Sequence, residues 1–275
     1  MQLTITHVSE YRYDAPVHYA LQRLRLTPVS SVCQTVRSWD VSVDGASVEV
    51  SYSDHFGNPV HLVSTEGDSH LVRVVASGVV DTEDKAGVFG MHQGFVPLWL
   101  YLRETPSTKP GKHLGDLVRG LAPGDDLARM HALMKTVHDT VTYKPGATDA
   151  DTTAEKALEA GEGVCQDHAH IMIGAARLLG IPARYVSGYL LMDGQREQTA
   201  SHAWAETFLP GLGWVGFDAA NDVCPDERYV RLANGLSYAD AAPISGMRLG
   251  QSEETLDVTV SVEETQTQSQ SQSQS

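Results

Sequence analysis

Cysteine is scarce in this sequence. Cys33, Cys165 and Cys224 are the only three in 275 residues, and they lie too far apart for a disulfide framework. Long apolar runs are missing too. No stretch approaches the length that spans a bilayer, and MQLTITHVSEYRYD has neither the basic start nor the apolar centre of a secretory leader. Basic residues are outnumbered, 20 Lys and Arg against 35 Asp and Glu, for a formal net charge of −15. That balance argues against nucleic acid or an anionic membrane as partner, since both call for basic patches, and the acidity reads as solubility. Together these absences point to a reducing cytoplasm, where a free thiol stays usable. What remains is ordinary for a soluble globular chain: 41% hydrophobic, 20% charged, and long enough for one large domain or two smaller ones.

Against that background one stretch stands out, GEGVCQDHAHIMIGAARLLG, from Gly161 to Gly180. After Cys165 the apolar residues Ala169, Met172, Ile173, Ala176 and Leu179 recur at helical spacing, and Gly180-Ile181-Pro182 is a stop signal. Cys165 therefore falls at a helix start, where unpaired N–H groups and the dipole favour a thiolate, the nucleophilic form. A small buried core cysteine is the competing reading. Two later segments, SHAWAETF with His202 and GWVGFDAAND with Asp218, supply the partners that an activated thiol needs. Histidine takes the thiol proton, and a carboxylate fixes its tautomer and holds the imidazolium.

The blocks GVCQDHAH, GIPARYVSGYL and SHAWAETFLPGLGWVGFD, in that order, resemble the core of the bacterial transglutaminase-like superfamily over roughly residues 125–225. YRYDAPVHYALQRLRLTP and DHFGNPVHLV resemble the β-rich domain that precedes this core in many bacterial members. The resemblance implies an α+β protein: an N-terminal β-sandwich, then a transglutaminase-like (papain-like) core whose nucleophile helix packs on an antiparallel sheet. It implies a cysteine enzyme with Cys165, His202 and Asp218 as catalytic residues. Such an enzyme acts through a thioester on an amide of a protein or peptide, a Gln or Asn side chain or a peptide bond. Release to an amine gives a cross-link, and release to water makes a peptidase or deamidase. No cofactor or metal is expected. The family commonly has Asp-Pro where this chain has Asp218-Ala219. Papain-like peptidases place the histidine about 130–150 residues after the cysteine, whereas the gap here is 37 residues. Their upstream oxyanion glutamine has no counterpart between Thr105 and Val164, and the caspase order does not fit.

Read in order, residues 1–105 are short strands with period-two alternation, as at Trp39, Val41 and Val43, and suggest a β-sandwich. Asp44-Gly45 is a hairpin signal, and DHFGNPV a turn. The Pro-, Thr- and Lys-rich stretch Glu104 to Lys112 marks the boundary to a catalytic core over 113–264 that includes the C-terminal strand TLDVTVSVE. Asp125 to Tyr143 carries a helical stripe. Thr152 and Glu155 form a capping-box pattern for a short helix, 153–160. ARYVSGYLL reads as a strand with Tyr185 and Tyr189 on one face. The Gln/Ser run 265–275 has nothing to bury and is expected to be disordered.

The oxyanion would be held by the Cys165 backbone N–H, with the Tyr143 hydroxyl or the Trp204 indole as second donor; for Trp204, core packing is the simpler role. A zinc site from Cys165, His168 and His170 fits no common spacing, and the two histidines read as helix surface or hydrogen-bonded core. Asp167 reads as a dipole partner, and Cys33 and Cys224 as inert. A non-catalytic binding module is the remaining class. SHAWAETFL and GWVGFDAA read as paired strands, and the triad constrains their register. An ideal two-residue turn at Gly211-Leu212 makes partner numbers sum to 423 and sends His202 and Asp218 to opposite faces. Contact requires an even sum, hence an odd loop or a bulge, on the face that meets the start of the Cys165 helix. Otherwise Glu206 or Asp222 is the third member.

Overall fold

Alternation of apolar and polar residues dominates the first third of the chain, and that third folds as strands. The computed structural model describes residues 1–265 except His18, Glu66, Asp68, Gln195 and residues 250–252, so the Gln/Ser run lies outside the described residues from 266 onward. Strands β1 (Gln2–Val17), β2 (Tyr19–Leu24), β3 (Gln34–Asp44), β4 (Ala46–Ser53), β5 (Pro59–Thr65), β6 (Ser69–Thr82) and β7 (Val88–Gly90) come first. Then come α1 (Lys112–Gly120), α2 (Asp126–Thr140), β8 (Thr142–Tyr143), α3 (Ala154–Ala160), β9 (Glu162–Gly163) and α4 (Cys165–Leu178). The chain continues through β10 (Ala183–Leu190), β11 (Glu197–Gln198), β12 (His202–Leu209), β13 (Gly213–Phe217) and β14 (Tyr229–Gly235), then α5 (Tyr238–Ala241), β15 (Ile244–Leu249) and β16 (Glu254–Glu264).

Two sheets form the N-terminal sandwich, ordered β11-β16-β1-β6-β3 and β15-β2-β5-β4. Leu3, Ile5, Val72 and Val74 from one and Leu24 and Val63 from the other share a buried core. The third sheet, β14-β10-β12-β13-β7, is antiparallel and carries α4 on one face. Three assignments are corrected here. The C-terminal strand, expected within the catalytic core, is β16. It pairs with β1 from Leu3↔Glu264 to Tyr13↔Glu254 and buries Val260 and Val262 in the sandwich, because its alternating face matches that sheet's open side. Conversely β7, from the N-terminal third, completes the core sheet beside β13. Nor is Asp44-Gly45 a hairpin, since β3 and β4 belong to different sheets. Gly45 turns the corner with φ 78°, where a Cβ would meet the Leu71 carbonyl oxygen at 2.2 Å.

The helices follow their sequence signals with two differences. In α2 the stripe buries Met130, Leu133, Met134 and Val137, and Asp125 caps its start by accepting from the Ala128 N–H at 2.8 Å. Thr153 rather than Thr152 caps α3. Glu155 does not close a capping box; its carboxylate accepts from the N–H groups of Gly111, His113 and Leu114 and so caps α1, a helix hidden behind the boundary stretch. Tyr185 and Tyr189 do not share a face. The β10–β14 pairing shifts between Ser187 and Gly188, so Tyr185 packs with α4 and Tyr189 in the sandwich core. Arg177, near the end of α4, donates to the Tyr101, Ala183 and Leu236 carbonyls and to Thr108 Oγ1, tying the boundary stretch to the helix. Among the described residues no helix is long and apolar enough to cross a membrane.

Candidate active site

The turn before Cys165 is built from glycines for steric reasons. Gly161 ends α3 in the left-handed conformation, φ 66°. At Gly163 a Cβ would lie 2.8 Å from the Asp167 Cβ. β8 and β9 pair in parallel across this turn, with the Lys144 N–H on the Gly163 carbonyl at 2.8 Å. Asp167 folds back over the helix start, accepting from the Val164 N–H at 2.8 Å and the Thr148 hydroxyl at 2.6 Å. Burial pushes its carboxyl up, against those two bonds. Cys165 is thus the first residue of α4, its own N–H among those with no acceptor inside the helix. His168 clamps the same turn, with Nδ1 on the Val164 carbonyl at 2.8 Å and Nε2 on that of Val141 at 3.0 Å.

His202 opens β12 and Asp218 follows β13. Residues pair from Leu209↔Gly213 to Ala205↔Phe217, so partner numbers sum to 422. The loop is therefore the three residues Pro210-Gly211-Leu212, with φ of 86° at Gly211 and 85° at Gly213. That even register puts His202 and Asp218 on one face, and His202 Nε2 donates to Asp218 Oδ2 at 2.7 Å. Ala203 and Ala205 pack in the α4 core, whereas Trp204 packs with Val186, Leu190 and Tyr229 on the other side. The pair therefore lies on the face turned from α4's apolar packing. It comes near Cys165 where β12 and α4 both begin, close enough for Cys165 to favour the charged imidazole.

Burial would strip the charge from His202, but Asp218 beside it and the nearby Cys165 reverse this and raise the imidazole to about 10. Asp218 is wholly buried; burial opposes its charge, yet His202 and the further donors Asn221 and Tyr229 hold its carboxyl below the usual carboxylate range. Asn221 Nδ2 donates to Oδ2 at 2.7 Å, the Tyr229 hydroxyl at 2.8 Å, and the Ala220 N–H to Oδ1 at 3.0 Å. Ala219, where proline is common, keeps a closed loop: the Asp218 N–H bonds the Val223 carbonyl at 2.9 Å, and His138 Nδ1 bonds the Ala219 carbonyl at 3.1 Å. Asn221 and Tyr229 escaped the sequence reading. Asn221 stands inside GWVGFDAAND but has no role by type, and Tyr229 arrives from β14, which no local spacing links to Asp218.

The other candidates separate clearly. Tyr143 is 49% exposed beside the site, its hydroxyl pushed up to about 12 by burial and by the nearby Cys165 and Asp218. Trp204 is buried and stacks on His202 at 6.3 Å between ring centroids, and its indole N–H is enclosed without a partner. Glu206 lies on the His202 face but is held by Arg184 at 2.5 Å and Arg231 at 2.9 Å, away from the histidine. Asp222 occupies the left-handed region, φ 54°. His170 is buried core, its Nε2 accepting from the Tyr238 N–H at 3.1 Å, and burial lowers it to about 3. Among the described residues no group of three or more His, Cys, Asp or Glu side chains is arranged to hold a metal. Cys33 and Cys224 are free thiols, each pushed up to about 11, chiefly by burial.

Comparison with known proteins identifies the family. Residues 116–219 match the profile of the transglutaminase-like superfamily, and residues 3–81 that of the bacterial transglutaminase-like N-terminal region. An uncharacterized protein of Mycobacterium leprae is 30% identical over 275 residues, covering 95% of this chain and 98% of its own. A protein-glutamine gamma-glutamyltransferase of Pseudomonas aeruginosa is 30% identical over 154 residues, 47% of this chain and 23% of that one. A crystal structure from Cytophaga hutchinsonii, provisionally named a cysteine protease, superimposes with a TM-score of 0.77 at 21% identity, over 97% of this chain and 92% of that one.

Proposed function

This chain belongs to the transglutaminase-like superfamily, and from that premise we propose that it is a cysteine enzyme acting on amides by acyl transfer or hydrolysis. The observation that carries the reading is His202, bonded through Nε2 to the buried Asp218 and close enough to Cys165, at a helix start, to feel its charge. In this reading His202 takes the Cys165 proton, and the thiolate attacks the amide carbonyl. The carbonyl oxygen becomes an oxyanion facing the Cys165 N–H, with the Tyr143 hydroxyl as second donor. The half-exposed position of Tyr143 favours it over the enclosed Trp204. His202 returns its proton to the departing amine or ammonia, leaving a thioester. An amine or water, deprotonated by His202, then releases the acyl group.

The substrate is a protein or peptide bearing the amide. The half-exposed Tyr143 beside Cys165 supports a site open to water, so hydrolysis or deamidation is expected to be at least as frequent as cross-linking. We also propose a cytoplasmic location, where reducing conditions keep Cys165 a thiol. The test is mass spectrometry of a glutamine-containing protein library incubated with the enzyme and an amine probe. Modified or deamidated glutamines that vanish with Cys165→Ala are the expected result. Equal modification by Cys165→Ala would remove the proposal.

A further inference from the structure

The carboxylate of Asp218 has more donors than a triad requires. Its Oδ2 receives three: His202 Nε2 at 2.7 Å, Asn221 Nδ2 at 2.7 Å and the Tyr229 hydroxyl at 2.8 Å. The donors come from three places, β12, the loop after β13, and β14, so no single element fixes the arrangement. Asn221 Nδ2 also lies 3.5 Å from His202 Nε2, and the Tyr229 ring sits 5.9 Å from the imidazole. Both side chains therefore touch both members of the pair. Both also line a cavity of about 290 Å³ together with Leu190, Met192, Val223 and Arg228.

A buried carboxylate is costly to keep ionised unless its lone pairs are satisfied, and charge-assisted bonds are the strong ones. With one donor alone, Asp218 could take up a proton or swing to present its other oxygen. With three converging donors it can do neither cheaply. We propose that Asn221 and Tyr229 are positioning residues that hold Asp218 ionised and aimed at His202 Nε2, and through it sustain the Cys165 thiolate. The inference rests on the catalytic reading above. The charged and titratable groups around the pair are Cys165 on α4, Tyr143 on β8, and Asp226 and Arg228 beside Tyr229. None of the four is altered by the variants below.

The sign of the effect follows from the donors. Each bond into Oδ2 favours the carboxylate, so losing one lets Asp218 protonate at higher pH. A neutral Asp218 no longer stabilises the imidazolium, and the thiolate goes with it. The test needs no substrate: alkylation of Cys165 by iodoacetamide is followed against pH by mass spectrometry of its peptide, in the full chain. In Tyr229→Phe and Asn221→Ala the acid limb should move up by roughly half a unit to one unit. Alkylation near pH 5 should slow on the order of 3- to 10-fold. Asn221 is exposed, so Asn221→Ala decides the matter if Tyr229→Phe proves unstable. Profiles that overlay wild type in both variants, while His202→Ala is displaced, would overturn the proposal and leave the catalytic reading standing. An undisplaced His202→Ala would remove both.

Discussion

His202 and Asp218 are each almost wholly buried, and burial alone would neutralise both. Their mutual attraction at 2.7 Å, with the added donors on Asp218, outweighs that penalty. The consequence for stability has a definite sign. His202 rises from 6.5 to about 10, so its imidazolium stabilises the fold fully below about pH 6.5 and loses that contribution as pH climbs through about 10. Asp218 is depressed, so its share is present above its ordinary value of 3.8 and fades as pH falls through its lower folded value. Denaturant melts should therefore show wild type losing stability relative to His202→Ala between pH 7 and 10. A constant difference would contradict the assignment. On activity, Cys165→Ala and His202→Ala should abolish turnover, while Asp218→Ala retains a small residue, about a hundredfold above the other two. Steady-state rates on a responsive amide check this. These three residues were legible because their types and order have a chemical meaning. Asn221 and Tyr229 were not, because an amide and a phenol gain a role only from what the fold sets beside them.

At the scale of elements, the β12–β13 hairpin decides whether a triad exists. Its three-residue loop gives the even register, and the need for that register follows from the types and positions of His202 and Asp218 alone. Which face the body of α4 covers could not be deduced, since parity says which residues lie together but not which side a helix packs on. Removing Leu212 should leave a two-residue turn and an odd register, parting His202 from Asp218. We expect a folded protein with activity reduced to the level of Asp218→Ala, and retained full activity would contradict the account. The same strand carries Glu206, wholly buried between Arg184 and Arg231. Glu206→Ala would leave two guanidinium groups uncompensated in the interior, at a cost of about 3–5 kcal/mol. Chemical denaturation measures it, and a loss under 1 kcal/mol would argue that water reaches the pair. Capping was legible only where it was local. Asp125 serves its own helix, but Glu155 serves α1 some forty residues back, and no spacing rule links the two.

At the scale of the whole molecule, the chain is interlocked rather than strung in two successive parts. β16 returns from the core to pair with β1, β15 pairs with β2, and β7 crosses the other way to the core sheet. The buried Asn58, in the turn before β5, exchanges bonds with Asn234 on β14, its amide donating to the Asn234 carbonyl at 2.8 Å. Strand content and the change to helical periodicity were readable from alternation, but partners were not, because a strand with one apolar face fits any sheet that offers the complement. A chain ending at Leu249 would strip β16 from β1 and uncover Leu3 and Ile5. It should be insoluble or melt far below wild type, and an unchanged melting temperature would contradict the topology. The central claim concerns Cys165 itself, and trapping the acyl-enzyme tests it most directly. The enzyme is mixed with a glutamine peptide that it modifies, quenched in acid within a turnover, and weighed intact and after digestion. The account predicts an adduct of the peptide less ammonia, confined to the Cys165 peptide and absent from Cys165→Ala. Turnover of the peptide with no adduct on Cys165, or with the adduct on Cys33 or Cys224, would contradict it.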